Sequence, residues 1–139
     1  MKALSFLLDI DNTVTQRSDM VRMGKPVPHA TRVLLRIAAH HKILLNTYRV
    51  ETESDEPFDN ALRYLEKNTV PVDQWMTKKI IPTDWDLDHA INVGEVFIDD
   101  MSFGIPLLPC SNPKDGKMVD WLKVEEQLVA KKLLPSKAY

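Results

Sequence analysis

The sequence predicts an α/β fold: a doubly wound parallel sheet of about five strands with helices on both faces, in one domain over residues 1–139. Three observations predict it. Short apolar runs, of the kind that fill strands buried on both faces, alternate with amphipathic helical patterns. Strand and helix repeated in this order are satisfied by parallel strands joined through covering crossovers. At 139 residues the chain can bury a real core but is too short for two.

The elements follow in order. The run ALSFLL, residues 3–8, is the first strand and leads into Asp9. Residues 15–27 break the alternation. They are polar, contain Gly24 and Pro26, and are too long for an ordinary strand-to-helix turn, which predicts a small hairpin or flap over the end of the first strand. Val33, Leu34 and Ile37 mark the first helix, and residues 43–45 the second strand. The acidic run 51–56 suits a helix start, with Pro57 in the first turn and Ser54 or Asp55 as cap. Phe58, Ala61, Leu62 and Leu65 then give an i, i+3, i+4, i+7 face. Residues 70–75 are the third strand; Leu87, Ala90 and Ile91 mark a shorter helix capped by Thr83 or Asp84. Residues 96–98 are the fourth strand and 105–108 a weaker fifth. A last helix runs from 117 to about 132, with Trp121, Val124 and Leu128 on one side.

Composition excludes several classes. Eighteen basic against twenty acidic residues give a formal charge of -2, which disfavours nucleic acid as a partner, since that binding rests on phosphate neutralisation. The one cysteine, Cys110, cannot form an internal disulfide and reads as a free thiol in a reducing compartment. The opening MKALSFLL is too short and too soon interrupted by Asp9 for a leader or a membrane span. These features predict a soluble cytoplasmic protein without a membrane partner. His40 and His41 fall at a predicted helix end, and with His29 and His89 they show no metal-ligand spacing.

In a doubly wound sheet, ligands bind beyond the carboxyl ends of the strands. After the first strand, LLDIDNTV places Asp9 and Asp11 one residue apart. Two such carboxylates repel each other and resist burial unless a cation lies between them. Thr13 follows. Thr47, Tyr48 and Arg49 come after the second strand, Lys78 and Lys79 after the third, and Asp99 and Asp100 after the fourth. Acids, hydroxyls and an ammonium on one rim suit phosphoryl transfer with Mg²⁺, a hard cation that takes carboxylate, water and phosphate oxygens. Asp9, Asp11, Asp99 and Asp100 are the candidate metal ligands. Asp9 is the candidate nucleophile, Asp11 the general acid and later base, and Thr47 and a lysine stabilise the transferring group. Thr13 is a candidate substrate contact. Arg49 either pairs with the acids of 51–56 or reaches a substrate phosphate or carboxylate.

DIDNTV resembles the D-x-D-x-T/S motif of the haloacid dehalogenase (HAD) superfamily; ILLNTYR is similar to its second motif, and EVFIDD to its fourth. The extended pieces NTYR and IDDMSFGIP resemble a small capless subgroup. The resemblance covers about residues 3–106 and implies a Rossmann-like core without a cap domain. It also implies an Mg²⁺-dependent phosphatase that forms an aspartyl-phosphate. The third motif is only a lysine at a loosely defined position. Lys79, three residues before Pro82, is preferred over Lys78.

The resemblance implies an open site: capless members of the superfamily act on phosphoproteins or nucleic-acid ends, or use a neighbouring subunit of a homo-oligomer as lid over small phosphorylated sugars, and the net charge disfavours nucleic acid. Two alternatives compete with turnover. A phosphoacceptor domain of receiver type also combines acids, Mg²⁺, Thr and Lys, but its acid pair ends the first strand and its phosphorylated Asp comes mid-chain, the reverse of the order here. A HAD-like binding scaffold has no need of both Asp9 and Asp11. Asp11 also favours a phosphatase over a dehalogenase, because a departing alkoxide needs a proton and a halide does not.

Overall fold

The structure, a computed structural model, describes residues 2–19, 22–51, 54–75 and 83–136. SFLL forms β1 (Ser5–Leu8), an inner strand of a four-stranded parallel sheet ordered β3-β2-β1-β4. Its companions are β2 (Lys42–Leu45), the two-residue β3 (Gln74–Trp75) and β4 (Glu95–Ile98). β1 tolerates neighbours on both edges because Phe6, Leu7 and Leu8 are all buried. The pairing is in phase: Phe6 lies beside Ile43 and Val96, and Leu8 beside Leu45 and Ile98. These six share one face and are all buried, each contributing about 1.5–3 kcal/mol. On the opposite face Leu7 is buried while Leu44 and Phe97 are half-exposed, so the two faces are unequally covered.

Four α-helices lie among the described residues: α1 (Ala30–Ala38), α2 (Glu56–Lys67), α3 (Leu87–Val93) and α4 (Trp121–Ala130). α1 buries Val33, Leu34 and Ile37, and α4 buries Trp121, Val124 and Leu128, as their spacing requires. Glu125 of α4 accepts two bonds from Arg32, at 2.7 and 3.1 Å, and one from Arg36 at 2.8 Å. This buried carboxylate ties α4 to α1. None of the helices among the described residues is long and apolar enough to cross a membrane.

Several expected elements are displaced, each for a local reason. Among the described residues the parallel sheet has four strands, fewer than the five expected. The third shortens to two residues because Pro71 has no N–H to donate and Thr69 adopts a positive φ of 58°. The fifth leaves the parallel sheet: β5 (Leu107–Pro109) pairs antiparallel with β6 (Lys117–Val119), and all three of its residues are exposed. α4 therefore begins at Trp121, not 117, where the Asp120 carboxylate accepts from the Lys123 N–H at 3.3 Å. The cap of α3 is Asp86, which accepts from the His89 N–H at 3.1 Å, and not Thr83 or Asp84. Asp55 occupies the cap position of α2 without a capping bond from its side chain.

His41 is a buried strut, not a partner of a helix terminus. Its Nδ1 accepts from the Leu4 N–H at 3.0 Å and its Nε2–H donates to the Leu133 carbonyl at 2.7 Å. The bond from Leu4 requires the neutral ring, and burial lowers the His41 pKa, although the bond to the Leu133 carbonyl works against the shift.

The segment 15–27 returns on itself. Thr15 and Pro26 form an antiparallel bridge, the Gln16 N–H donates to Lys25 at 2.7 Å, and the Val27 N–H donates to Val14 at 2.9 Å. Gly24 is required by close approach, since a Cβ there would lie 1.8 Å from the Gln16 carbonyl oxygen.

Candidate active site

From β1 the chain builds outward through β2 to β3, then crosses to β4 on the other side of β1. Strands that diverge in this way leave a crevice at their carboxyl ends, here between β1 and β4. Asp9 follows β1 directly, and its N–H donates to the Ile98 carbonyl at 3.0 Å, which holds it beside the end of β4. Asp99 and Asp100 follow β4. One carboxylate oxygen from each of Asp9, Asp99 and Asp100 lies within 4.8 Å of the others.

Burial sets the electrostatics of this cluster. Asp9 is 7% exposed and Asp99 4%. Burial, reinforced by Asp99 and Asp100, raises the Asp9 carboxyl well above its ordinary range. Asp99 is pushed up to about 6, first by burial and then by Asp100, although the Met101 N–H at 2.8 Å works against the shift. Asp100 is raised too, again chiefly by burial. The three carboxylates could hold a cation, and an all-oxygen donor set of this kind is what a hard dication such as Mg²⁺ takes.

Thr13 organises the cluster. Its hydroxyl donates to Asp9 Oδ2 at 3.1 Å while its Oγ1 accepts from the Asp100 N–H at 3.2 Å, so one side chain links both strand ends. Thr13 is wholly buried and its carbonyl accepts from Trp121 Nε1 at 2.7 Å. The turn is fixed from the other side by Asn12, at φ 59°, whose Nδ2 donates to the Asp115 carbonyl at 2.9 Å and whose Oδ1 accepts from the Arg17 N–H at 2.7 Å. Asparagine is one of the few residues that takes this conformation readily.

Asp11 is not one of the clustered acids. Its two oxygens accept from Arg49, Nε to Oδ2 at 3.1 Å and Nη2 to Oδ1 at 2.9 Å. The expectation that Asp11 is a fourth metal ligand therefore gives way, because a buried guanidinium occupies it in a two-point pair. Arg49 has no exposed side-chain surface and so presents nothing to a ligand arriving from solvent. Thr47, 6% exposed, accepts from the Arg49 N–H through Oγ1 at 3.2 Å, leaving its own hydroxyl proton to be donated elsewhere. Lys78 and Lys79 lie outside the described residues.

One residue went unnoticed in the sequence. Arg17, exposed at the stem of the flap, is close enough to Asp100 to pull its pKa back down. It also lines a cleft of about 410 Å³ with Ser18, Lys25, Ser111 and Asn112. The available signal was a cation four residues past Thr13, in a stretch that periodicity does not define. A second hollow of about 500 Å³, beside Trp85, Phe103 and Lys131, contains none of the clustered acids.

No family model and no curated protein matches the chain. Its fold is similar to that of a conserved protein from Bacteroides thetaiotaomicron, with a TM-score of 0.61 and 18% identity over 94% of this chain and 93% of that one. At that identity the likeness establishes the fold alone: an α/β chain built on a small parallel sheet.

Proposed function

We propose that this chain is a HAD-type, Mg²⁺-dependent phosphatase that hydrolyses a phosphomonoester through an aspartyl-phosphate on Asp9. The observation that carries the reading is the convergence of Asp9, Asp99 and Asp100 at the crevice between β1 and β4. Asp9, Asp99 and Asp100 would hold the metal, which when bound supplies positive charge to offset the carboxylates and the phosphate oxygens.

The chain's own groups then divide the work. Thr13 fixes the rotation of the Asp9 carboxylate by holding Oδ2. An Asp9 oxygen attacks phosphorus, the bond from phosphorus to the ester oxygen breaks, and the departing oxygen takes a proton from Asp11. Water then attacks the phosphorus of the aspartyl-phosphate and gives its proton to Asp11. The bond from phosphorus to the Asp9 oxygen breaks, and inorganic phosphate leaves. Thr47 donates its hydroxyl to the transferring group, and Lys79, with Arg17 at the open side, balances its charge. The described residues place no domain over this rim, which fits a substrate approaching from open solvent, either a phosphorylated small molecule or a phosphoprotein.

The test is hydrolysis of p-nitrophenyl phosphate with Mg²⁺ and with excess chelator, beside Asp9→Asn. Activity that needs the metal and is abolished by Asp9→Asn, together with acid-stable but hydroxylamine-labile phosphoenzyme in the wild type, is the expected result. Full activity in chelator would overturn the assignment.

A further inference from the structure

We infer that Arg49 is a positioning residue that sets the orientation of Asp11 and the seat of the flap together. The inference deepens the phosphatase reading of the site and rests on it. An arginine with no exposed side-chain surface is tolerated only where its charge is paired and its donors are used. Nε and Nη2 form a fork on the Asp11 carboxylate, Nη2 also donates to the Arg22 carbonyl of the flap at 3.1 Å, and Nη1 donates to the Pro57 carbonyl in the first turn of α2 at 2.9 Å. Its own N–H is held by Thr47. The side chain thus bolts three segments that lie 38, 27 and 8 residues from it in sequence.

The geometry leaves Asp11 little freedom. A protonated carboxyl has one O–H donor and keeps acceptor capacity, so the fork on its two oxygens leaves the proton a direction chosen by Arg49. The Asp11 side chain is 14% exposed, so on the phosphatase reading a substrate can reach it from solvent. Without the guanidinium, the fork that fixes the Asp11 carboxyl is gone, and the side chain is free to rotate away from the reacting phosphate. The Arg22 carbonyl would lose a donor in the same event, leaving it the Ser18 hydroxyl at 2.8 Å.

The experiment compares wild type, Arg49→Met, Asp11→Asn and the double variant on an alkyl phosphate and on p-nitrophenyl phosphate, with amide hydrogen exchange at Gln16 and Arg22 as a readout independent of turnover. Positioning predicts that Arg49→Met lowers kcat and kcat/KM together on the alkyl phosphate by about 100-fold, the lower end of a general acid's contribution, and much less on the aryl ester. The double variant should then be no worse than either single one, because the two residues act as a unit. Exchange at Gln16 and Arg22 should speed up, and Arg49→Lys, which keeps the charge but not the fork, should recover part of the alkyl activity.

Equal losses on both esters, additive with Asp11→Asn and with unchanged exchange, would make Arg49 a merely structural ion and overturn the inference. If Arg49→Met does not fold, Arg49→Lys carries the same comparison. If the wild type hydrolyses neither ester, the phosphatase reading fails. Exchange then decides the clamp by itself: unchanged protection in Arg49→Met overturns it, and faster exchange supports it.

Discussion

If Mg²⁺ binds the acid cluster as proposed, it is a stability determinant, and this can be measured without any substrate. Carboxylate oxygens within 4.8 Å of one another repel by at least about 3.5 kcal/mol per pair when both are ionised and the effective dielectric is about 20. The protein avoids that repulsion by keeping protons. Asp99 titrates at about 6 when folded against 3.8 ordinarily, so between those values the folded state binds the extra proton. Metal-free stability therefore falls as pH rises from 3.8 through about 6, and the raised Asp9 carries the decline further in the same direction. Mg²⁺ at a hundredfold excess over its dissociation constant adds about 2.7 kcal/mol by mass action. An unfolding entropy of about 2.1 cal/mol/K per residue gives about 0.29 kcal/mol/K for this chain, so the melting temperature rises by about 9 °C.

Scanning calorimetry in chelator and in Mg²⁺, repeated across that pH range, reads both effects. The Mg²⁺ increment should shrink on acidification, because the metal must displace protons. Asp9→Asn mimics the protonated carboxyl and can still accept from Thr13. Its metal-free melting temperature should match or exceed that of wild type, with most of the Mg²⁺ response lost. If wild type melts at one temperature with and without saturating Mg²⁺, and Asp9→Asn is less stable in both, the D-x-D turn is structural and the metal site does not exist.

Three further outcomes are expected. Asp11→Asn should slow single-turnover phosphorylation by alkyl phosphates far more than by p-nitrophenyl phosphate, whose leaving group needs no proton; equal slowing on both would remove Asp11 from the acid role. Gly24→Ala should loosen the flap, since its Cβ would lie 1.8 Å from the Gln16 carbonyl oxygen, and faster exchange of the Gln16 N–H would report it; unchanged exchange would show that the hairpin shifts to accommodate the methyl group. The lowered pKa of His41 gives a contribution fully present above its unfolded value of about 6.5 and lost as pH falls through its folded value, opposite in sign to the acids. Replacing it with Ala should cost about 1–3 kcal/mol by urea unfolding, because the buried Leu4 N–H loses its acceptor; a change below that range would mean that water replaces the ring.

What the sequence made legible was whatever periodicity and strand ends encode. The apolar runs located β1, β2 and β4, and the residues immediately after them located Asp9, Thr47 and Asp99, because a parallel strand buried on both faces has to end where polar residues begin. It could not reveal partnerships that depend on side-chain reach across the fold. Arg49 stands next to an acidic run in sequence, yet its fork closes on Asp11, 38 residues away. The run 105–108 is apolar enough for a strand, but apolarity does not distinguish a fifth parallel strand from an arm of a small antiparallel hairpin. Pro106 and Pro109, which remove donors at both ends of that run, were the discriminating signal.

That hairpin has a structural role at the site. The D-x-D-x-T turn carries polar groups into a nearly dry interior, and strands β1 and β4 alone do not satisfy them. The missing partners come from residues 110–121. The Val119 N–H donates to the Asn12 carbonyl at 3.0 Å, the Asp115 carbonyl accepts from Asn12 Nδ2, and the Cys110 thiol donates to Asn12 Oδ1 at 3.4 Å. Trp121 Nε1 reaches the Thr13 carbonyl, and the Ser111 N–H reaches Gln16 Oε1 at 2.7 Å. A fifth parallel strand would have aligned its N–H and carbonyl groups with β4 and left Asn12 and Thr13 without donors. Turning the chain back through Gly116, at φ 87°, carries Val119 and Trp121 onto the turn instead. The segment after the acid pair therefore serves as the back wall that fixes Thr13, and through Thr13 the carboxylate of Asp9.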